Sequence, residues 1–313
     1  MLLQRKSTVG GTGLQATLAG WNRLKLLRFF DLIQLVALTA LTILQLALWH
    51  RVAASHFLFA LYVGAIAAVA ATAWLARPHS GRWVSLIDDL LLPAVILLVV
   101  FETIGYSIPA VNTTWFEPFL ISVDKRLFGM VGSVYLERFY TKPLLDLMHF
   151  SYILFYLFPI SVAVVAYRQK SKVEYHEAVC AIGLTFYLCY FLYYIFPVLG
   201  PYRNLAVYEQ FTKDIVASGG AITRYAQALV KHAELSSYDC FPSAHAAVTY
   251  VTVALAYRYR LSIRRYYLLP AGMILISTVY LRYHYVLDIV ASIFVAAAAY
   301  WAACVARKFD LVS

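Results

Sequence analysis

Two short stretches of the sequence place imidazole and carboxylate groups in an otherwise apolar chain. They are CFPSAH at residues 240–245 and LRYHYVLD at residues 281–288. His284 and Asp288 are spaced i, i+4, so on a helix they would share one face, one turn apart. A carboxylate placed there accepts a hydrogen bond from one imidazole nitrogen and leaves the other nitrogen able to attack. These residue types suit nucleophilic transfer through a covalent histidine.

A histidine nucleophile needs a second group that protonates the leaving oxygen, and His245 is the candidate for that role. Pro242 is compatible with the first turn of a helix, where a missing amide donor costs nothing. The amides near Ser243 would then lie at a helix N-terminus, where they can bind an anion. The pattern predicts phosphoryl transfer, with His284 as nucleophile, His245 as acid and Asp288 as the orienting carboxylate.

Several nearby residues each have two open interpretations. Arg203, in the stretch GPYRN, is either a phosphate ligand or an interfacial arginine that extends its head towards water. For Arg282 the same two interpretations are equally favoured. Tyr202 either orients a head group or packs at the membrane boundary, where tyrosine is common. Asp239, just before the turn, is a further candidate site residue.

Three ionisable residues lie within predicted helices. Asp146 and His149 are spaced i, i+3 and either face a cavity or support helix packing, and we favour packing. Glu102 would be costly to leave in lipid, so it is expected to face the interior of a helix bundle. Whether Glu102 contacts substrate stays open.

The composition predicts an all-helical integral membrane protein. The 313 residues are 62% hydrophobic and only 13% charged. Apolar blocks of about 20 residues are typical of membrane-spanning helices, because every backbone polar group in hydrocarbon must be satisfied within its own segment. Eight such segments are predicted, at residues 31–49, 57–76, 86–108, 143–166, 177–198, 243–257, 267–283 and 285–306.

The net charge of +10 is best explained by membrane topology, and nucleic acid is not an expected partner. Most of the 26 basic residues fall in short segments on one side of the predicted helices. Basic residues concentrate in cytoplasmic loops, so both termini are predicted to be cytoplasmic. The two long connections, 109–142 and 199–242, then lie outside, and the stretches with the site residues all meet at the extracytoplasmic or lumenal face.

The four cysteines show no spacing typical of a metal site. Three lie within predicted helices, and Cys240 is the first residue of the stretch CFPSAH and has no evident disulfide partner. No metal ion or cofactor is expected.

The same residues carry a resemblance to a known family. FPSAH resembles the PSGH motif of the type 2 phosphatidic acid phosphatase superfamily, and STVYLRYHYVLDIVAS resembles its SRxxxxxHxxxD motif. The resemblance implies a six-helix core over residues 86–306. It leaves two extra N-terminal helices at 31–85 and cytoplasmic tails at 1–30 and 307–313.

The sequence departs from the family pattern at four positions. Ala244 stands where glycine is usual, and Thr278 stands where the family has a phosphate-binding arginine. Phe196 and Asn204 replace the lysine and the proline of the first motif. Arg282 lies two residues before His284, and whether it replaces the arginine missing at Thr278 stays open.

The stretches DCFPSAH, STVYLRYHYVLD and DKRLFG together resemble the inositol phosphorylceramide synthase branch, also known for aureobasidin resistance. The resemblance implies transfer of a phosphorylated head group from a lipid donor to the hydroxyl of a lipid or polyol, without metal or nucleotide.

Three other functions stay open. With water as the acceptor, the same residues would make a lipid phosphate or diphosphate phosphatase. A non-enzymatic transporter or lipid-binding scaffold is an alternative, because broken helices and intramembrane charges also suit transport. A haem carrier with two axial histidines is a third option, although it leaves Asp288 unexplained.

Overall fold

The structure, a computed structural model, describes residues 27–76, 87–233 and 238–309. Within these ranges all regular secondary structure is helical, as the apolar blocks predict. The N-terminal tail before residue 27, the last four residues and the junction at residues 77–86 lie outside the described residues, as do the predictions made for them.

The first three long helices are α1 (Phe29–Ala47), α2 (Ser55–Ala71) and α3 (Leu92–Ile104). A π-helical turn, Thr72–Ala76, extends α2, and another, Ile87–Leu91, precedes α3. α1 packs along α2. The Tyr62 and Thr103 hydroxyls lie 2.8 Å apart and join α2 to α3, so neither polar group is buried without a partner.

Short helices occupy the first long connection. They are α4 (Ile108–Val111), α5 (Glu117–Phe128) and α6 (Gly132–Leu136), followed by a 3₁₀ turn at Glu137–Phe139. α5 ends at Gly129, whose φ of 74° is left-handed and suits glycine at a helix C-terminus.

The predicted single helix at 143–166 is wrong, because the structure divides it. α7 (Lys142–Leu154) and α8 (Phe158–Gln169) are bent by 47° at the break between them. Pro159 has no amide hydrogen, and its ring crowds the carbonyl four residues earlier, which accounts for the break.

α9 (Lys172–Ile195) begins five residues before its predicted start. Ser171 accepts a hydrogen bond from the Glu174 amide, and the Glu174 carboxylate accepts one from the Ser171 amide. This capping box stabilises a polar first turn that hydropathy alone does not detect.

The remaining helices are α10 (Leu205–Tyr208), α11 (Ile215–Ser218), α12 (Ala221–Ala233), α13 (Ala244–Arg258), α14 (Leu268–Tyr280) and α15 (Val286–Lys308). α9, α13 and α15 pack against one another. At one end of this trio, the buried Glu177 of α9 pairs with Arg258 of α13 at 2.9 Å and with Arg307 of α15 at 2.7 Å. These pairs fix the three helices together opposite the end that bears the two motif histidines.

Each of the eight predicted apolar segments corresponds to a helix or helix pair. Within the described part of the chain, four helices are long and apolar enough to cross a bilayer: Phe29–Ala47, Ser55–Leu75, Lys172–Ile195 and Val286–Lys308. The bent pair α7–α8 passes the same test as a unit. The chain is therefore an integral membrane protein. Eight crossings remain a prediction, because α3, α13 and α14 are shorter.

Asp124 connects α5 to the start of α15. Its Oδ2 accepts a hydrogen bond from the Gly132 amide at 2.9 Å, and its Oδ1 accepts one from the Val286 amide at 3.2 Å. Burial raises the pKa of the Asp124 carboxyl to about 6, although both amide donors favour the charged form.

Asp124 is expected to make stability depend on pH. Its folded-state pKa lies above its ordinary value of 3.8, so this contribution is complete below about pH 4 and is lost as the pH rises through about 6. The loss should be about 2 kcal/mol. Unfolding in detergent, followed from pH 4 to pH 7, should show this fall in the wild type and not in Asp124→Asn. A difference between the two proteins that does not change with pH would contradict it.

Candidate active site

Three turns meet at one end of the bundle, and they contain the motifs of the sequence. The Tyr202 amide in GPYRN donates to the Arg282 carbonyl at 3.0 Å. Gly200 lies so close to the Tyr283 carbonyl that a Cβ at position 200 would be 2.5 Å from its oxygen. Val198 pairs with Asp239 in an isolated parallel bridge, which brings in the turn before α13. The predicted convergence of the three stretches is observed.

Ser243 is the N-cap of α13, and its hydroxyl accepts a hydrogen bond from the Ala246 amide at 3.2 Å. The helix begins at Ala244, so Pro242 precedes the cap and does not lie in the first helical turn as predicted. The helix begins after Ser243 because serine is among the strongest N-cap residues. The Phe241–Pro242 peptide bond is cis.

His284 precedes α15, and its amide donates to the Thr278 carbonyl at 3.1 Å. The expected shared helical face with Asp288 is therefore wrong, although the two side chains do meet. Tyr285 is the N-cap of α15, and Asp288 Oδ2 accepts a hydrogen bond from the Tyr285 amide at 2.8 Å. This capping places Asp288 Oδ2 3.3 Å from His284 Nδ1.

The hydrogen bonds of His284 determine which of its nitrogens carries the proton. Nδ1 lies 2.9 Å from the Cys240 carbonyl oxygen, which can only accept. We therefore assign the proton to Nδ1, which leaves a lone pair on Nε2. Nε2 lies 3.1 Å from the Ser243 hydroxyl. The arrangement provides an imidazole with its nucleophilic nitrogen directed away from the carboxylate.

Cys240 contributes a hydrogen bond to the site that the sequence did not predict. Its thiol donates to Asp288 Oδ2 at 2.9 Å, and the same oxygen accepts from the Tyr285 amide. Burial, reinforced by the negative Asp288, raises the pKa of the Cys240 thiol well above its ordinary range, so the thiol stays protonated and able to donate. Asp288 Oδ1 is buried and has no hydrogen-bond partner among the described residues.

His245 is the second residue of α13 and lies among aromatic rings. Its ring centre is 4.6 Å from that of Tyr152 and 4.2 Å from that of Phe155. The ring centres of His245 and His284 are 6.0 Å apart. His245 Nε2 is buried and lacks a hydrogen-bond partner in the described part of the chain. A buried ring nitrogen without a partner is costly unless a ligand binds it, which marks His245 as a candidate contact for substrate.

Both histidines line one cavity of about 360 Å³. Arg203, Asp239 and Tyr202 line the same end, and the Arg203 guanidinium carbon lies 5.0 Å from the Tyr202 ring centre. Burial raises the pKa of the Asp239 carboxyl, and the charge of Arg203 opposes that rise. The cavity therefore has one polar end, in which an arginine can attract an anion.

Arg282 does not line this cavity. Its guanidinium is buried against Glu137 Oε2 at 3.0 Å and the Lys213 carbonyl at 2.7 Å. Tyr140 and Phe211 complete its surroundings. The structure thus places Arg282 behind the turn before His284 and outside the cavity that the two histidines line. The backbone of Arg282 is left-handed, with a φ of 71°.

Asp146 and His149 have structural partners, as the packing interpretation proposed. Asp146 Oδ1 accepts from the Gly220 and Thr223 amides, each at 2.9 Å, at the start of α12. His149 lies 2.9 Å from the Leu145 carbonyl and 2.9 Å from Gln227. Glu102 is half-buried on α3 and does not line the cavity.

The side chains of Cys240, His284 and Asp288 are also of types that bind metals. Their ligand atoms all lie within 4.8 Å of one another. In the structure the three hydrogen-bond to each other, with the carboxylate as the common acceptor.

Breaking the buried pair of Glu137 and Arg282 should destabilise the protein. Removal of one partner leaves the other charge buried, at a cost of about 3 kcal/mol. Glu137→Gln and Arg282→Ala should both lower the thermal unfolding midpoint in detergent, whereas Glu209→Gln, at an exposed position, should not. An Arg282→Ala protein of unchanged stability with weakened substrate binding would contradict this and restore Arg282 as a phosphate ligand.

Comparisons with known proteins give one family. The sequence profile of the PAP2 superfamily matches residues 118–302, which include all three turns and both histidines. Neither the curated proteins nor the solved structures give a match. The match begins within α5, so α1, α2 and α3 lie before it. Since it covers more than half of the chain, the protein belongs to the PAP2 superfamily.

Proposed function

We propose that this protein transfers a phosphorylated head group from a lipid phosphoester to an acceptor hydroxyl, through a phosphohistidine at His284. Members of the PAP2 superfamily are phosphatases and phosphotransferases, and the membrane location suits a lipid substrate. One observation carries the proposal. His284, with its lone pair assigned to Nε2, and His245, with an unpartnered Nε2, line the same end of one cavity.

In the first half-reaction, His284 Nε2 attacks phosphorus and the bond to the leaving oxygen breaks. Protonated His245 gives its proton to that oxygen, and the departing lipid leaves as an alcohol. Asp288 and the Cys240 carbonyl hold the Nδ1 proton and stabilise the positive charge on the phosphorylated ring. In the second half-reaction, His245 removes the proton of the acceptor hydroxyl, whose oxygen attacks phosphorus and releases His284.

Arg203 is the proposed cationic ligand of the phosphate. Its planar guanidinium suits phosphate oxygens, and it is the arginine that lines the polar end of the cavity. The His245 amide, in the first turn of α13, adds a donor next to Ser243, whose hydroxyl already contacts His284. Tyr202 packs beside Arg203 and orients it. Asp239 balances the charge of Arg203 when no phosphate is bound.

A transferase is favoured over a phosphatase by the resemblance to inositol phosphorylceramide synthases. The largely apolar lining of the cavity supports this, because a lipid acceptor partitions there more readily than water. The same groups would serve hydrolysis, so the acceptor must be identified by experiment. A transporter or scaffold would not require the tautomer of His284 to be held by two separate acceptors.

The proposed topology has eight crossings with both termini in the cytoplasm. Helices at all eight predicted positions support the count, and the clusters of basic residues support the orientation. The polar end of the cavity then faces the extracytoplasmic or lumenal side. We propose residues 86–306 as the catalytic unit, with α1 and α2 added to it.

Product analysis in liposomes tests the function. Donors such as phosphatidic acid, phosphatidylinositol and a polyprenyl diphosphate are supplied with and without ceramide or diacylglycerol, with EDTA present. We expect a new phosphorylated lipid that needs both donor and acceptor, persists in EDTA and is absent with His284→Ala. Inorganic phosphate formed without acceptor would identify a phosphatase. Absence of any His284-dependent product would refute the enzyme proposal.

His245 has a separate test that uses a leaving group of low basicity. p-Nitrophenyl phosphate needs little acid assistance, so His245→Ala should still form the phosphohistidine and then resolve it slowly. Steady-state turnover should fall by about 10²–10⁴-fold, whereas a stoichiometric burst of nitrophenol remains. The double variant with His284→Ala should give no burst. Loss of the burst in His245→Ala alone would show that His245 does not act chiefly in the second step.

A further inference from the structure

The cavity extends far beyond the polar end that holds the two histidines. One face of α9 lines it with residues spaced three or four apart: Val179, Ile182, Gly183, Phe186, Tyr190 and Tyr193. Val179 and Tyr193 are separated by about 21 Å along the helix axis at about 1.5 Å per residue. The cavity is thus a long apolar channel, and its reactive groups lie at one end.

Helices before the family match form part of the channel wall. One face of α3, from Pro93 to Phe101, lines it, and so does Phe30 in the first turn of α1. These residues all precede residue 118, where the match begins. The reactive end lies within the family match, whereas part of the far wall lies before it.

Phe30 closes the channel at the end remote from His284. Its ring lies directly on Gly183, where a Cβ would be 2.1 Å from the ring edge. Phe30 is buried, with 7% of its surface exposed. A second, smaller cavity lies beyond it, and Phe30, Pro93 and Val179 are walls common to both. Charged residues line part of that cavity, among them Arg28 and Asp88, which are paired at 3.4 Å.

We infer that Phe30 is a chain-length stop, and that the channel takes one hydrocarbon chain of the donor lipid with its phosphoester at the two histidines. The inference rests on the proposed function, since it requires a lipid donor. A chain that fits between His284 and Phe30 buries all its methylenes. A longer chain meets the phenyl ring and then the charged residues behind it. Phe30 is therefore a specificity-determining residue for the length of the donor chain.

Removal of the ring should admit longer chains. Donor chains in detergent are already out of water, so each further methylene gains only the difference between micelle and channel, which is well below the roughly fourfold gain for transfer from water. Phe30→Ala should therefore raise the kcat/KM ratio of long to short donors by a few-fold, and Phe30→Leu should raise it less. The donors are saturated phosphatidic acids from dodecanoyl to eicosanoyl, assayed in detergent with their preferred acceptor.

The matched control is Phe29→Ala. Phe29 is the same residue type one position earlier, and it does not line the channel. Phe29→Ala should leave the chain-length ratio unchanged. If Phe30→Ala does not fold, as judged by gel filtration, the graded Phe30→Leu variant decides the question. An unchanged ratio in the folded Phe30 variants, or an equal shift in Phe29→Ala, would overturn the inference.

A binding measurement separates this inference from the proposed function. Native mass spectrometry of His284→Ala, with and without Phe30→Ala, gives the relative retention of each phosphatidic acid without turnover. If no donor is converted but Phe30→Ala shifts retention towards longer chains, the function is wrong and the chain-length stop stands. If donors are converted and neither retention nor kcat/KM shifts, the function stands and the stop is wrong.

Discussion

The hydrogen bond from His284 Nδ1 to the Cys240 carbonyl is the interaction on which the site depends. It joins the turn before α13 to the turn before α15, and it holds the imidazole as the tautomer whose Nε2 is nucleophilic. Ser292 reinforces the junction, since its hydroxyl lies 2.8 Å from the Ser243 carbonyl and 2.6 Å from the Asp288 carbonyl. A carbonyl cannot change its role with pH, so the tautomer does not depend on the ionisation of Asp288.

The need to satisfy polar groups within an apolar bundle explains the construction of these turns. Asp288 Oδ2 accepts hydrogen bonds from three donors. Behind the same turn, the buried charges of Glu137 and Arg282 neutralise each other. Unpaired polar groups in such surroundings are costly. Some polar atoms near the site, among them His245 Nε2, have no partner among the described residues. These atoms are therefore the ones to which a bound substrate can hydrogen-bond.

Local patterns in the sequence predicted what local physics controls. Apolar blocks located the eight helical segments. The motifs located His245 and His284, which line one cavity, and Asp288, which contacts His284. The sequence did not predict that Asp288 would act as a helix cap, that the Cys240 thiol would donate to it, or that Glu137 would take Arg282. Each of these depends on which of several available partners the fold brings near. Arg282 lies 145 residues from Glu137 along the chain, and no spacing pattern connects them.

The channel suggests that chemistry and selectivity have separate structural origins in this protein. The reactive end is built by α9, α13, α15 and the turns between them, which lie within the family match. The far end is closed by α1 and walled by α3, which lie before it. A substitution at the reactive end would disturb the geometry of the two imidazoles that the chemistry requires, so few substitutions are tolerated there. A change at Phe30 alters only how much chain is buried, because the ring is remote from phosphorus. A change in the residues that close the far end can therefore alter the lipid that the protein accepts without a change in the catalytic geometry.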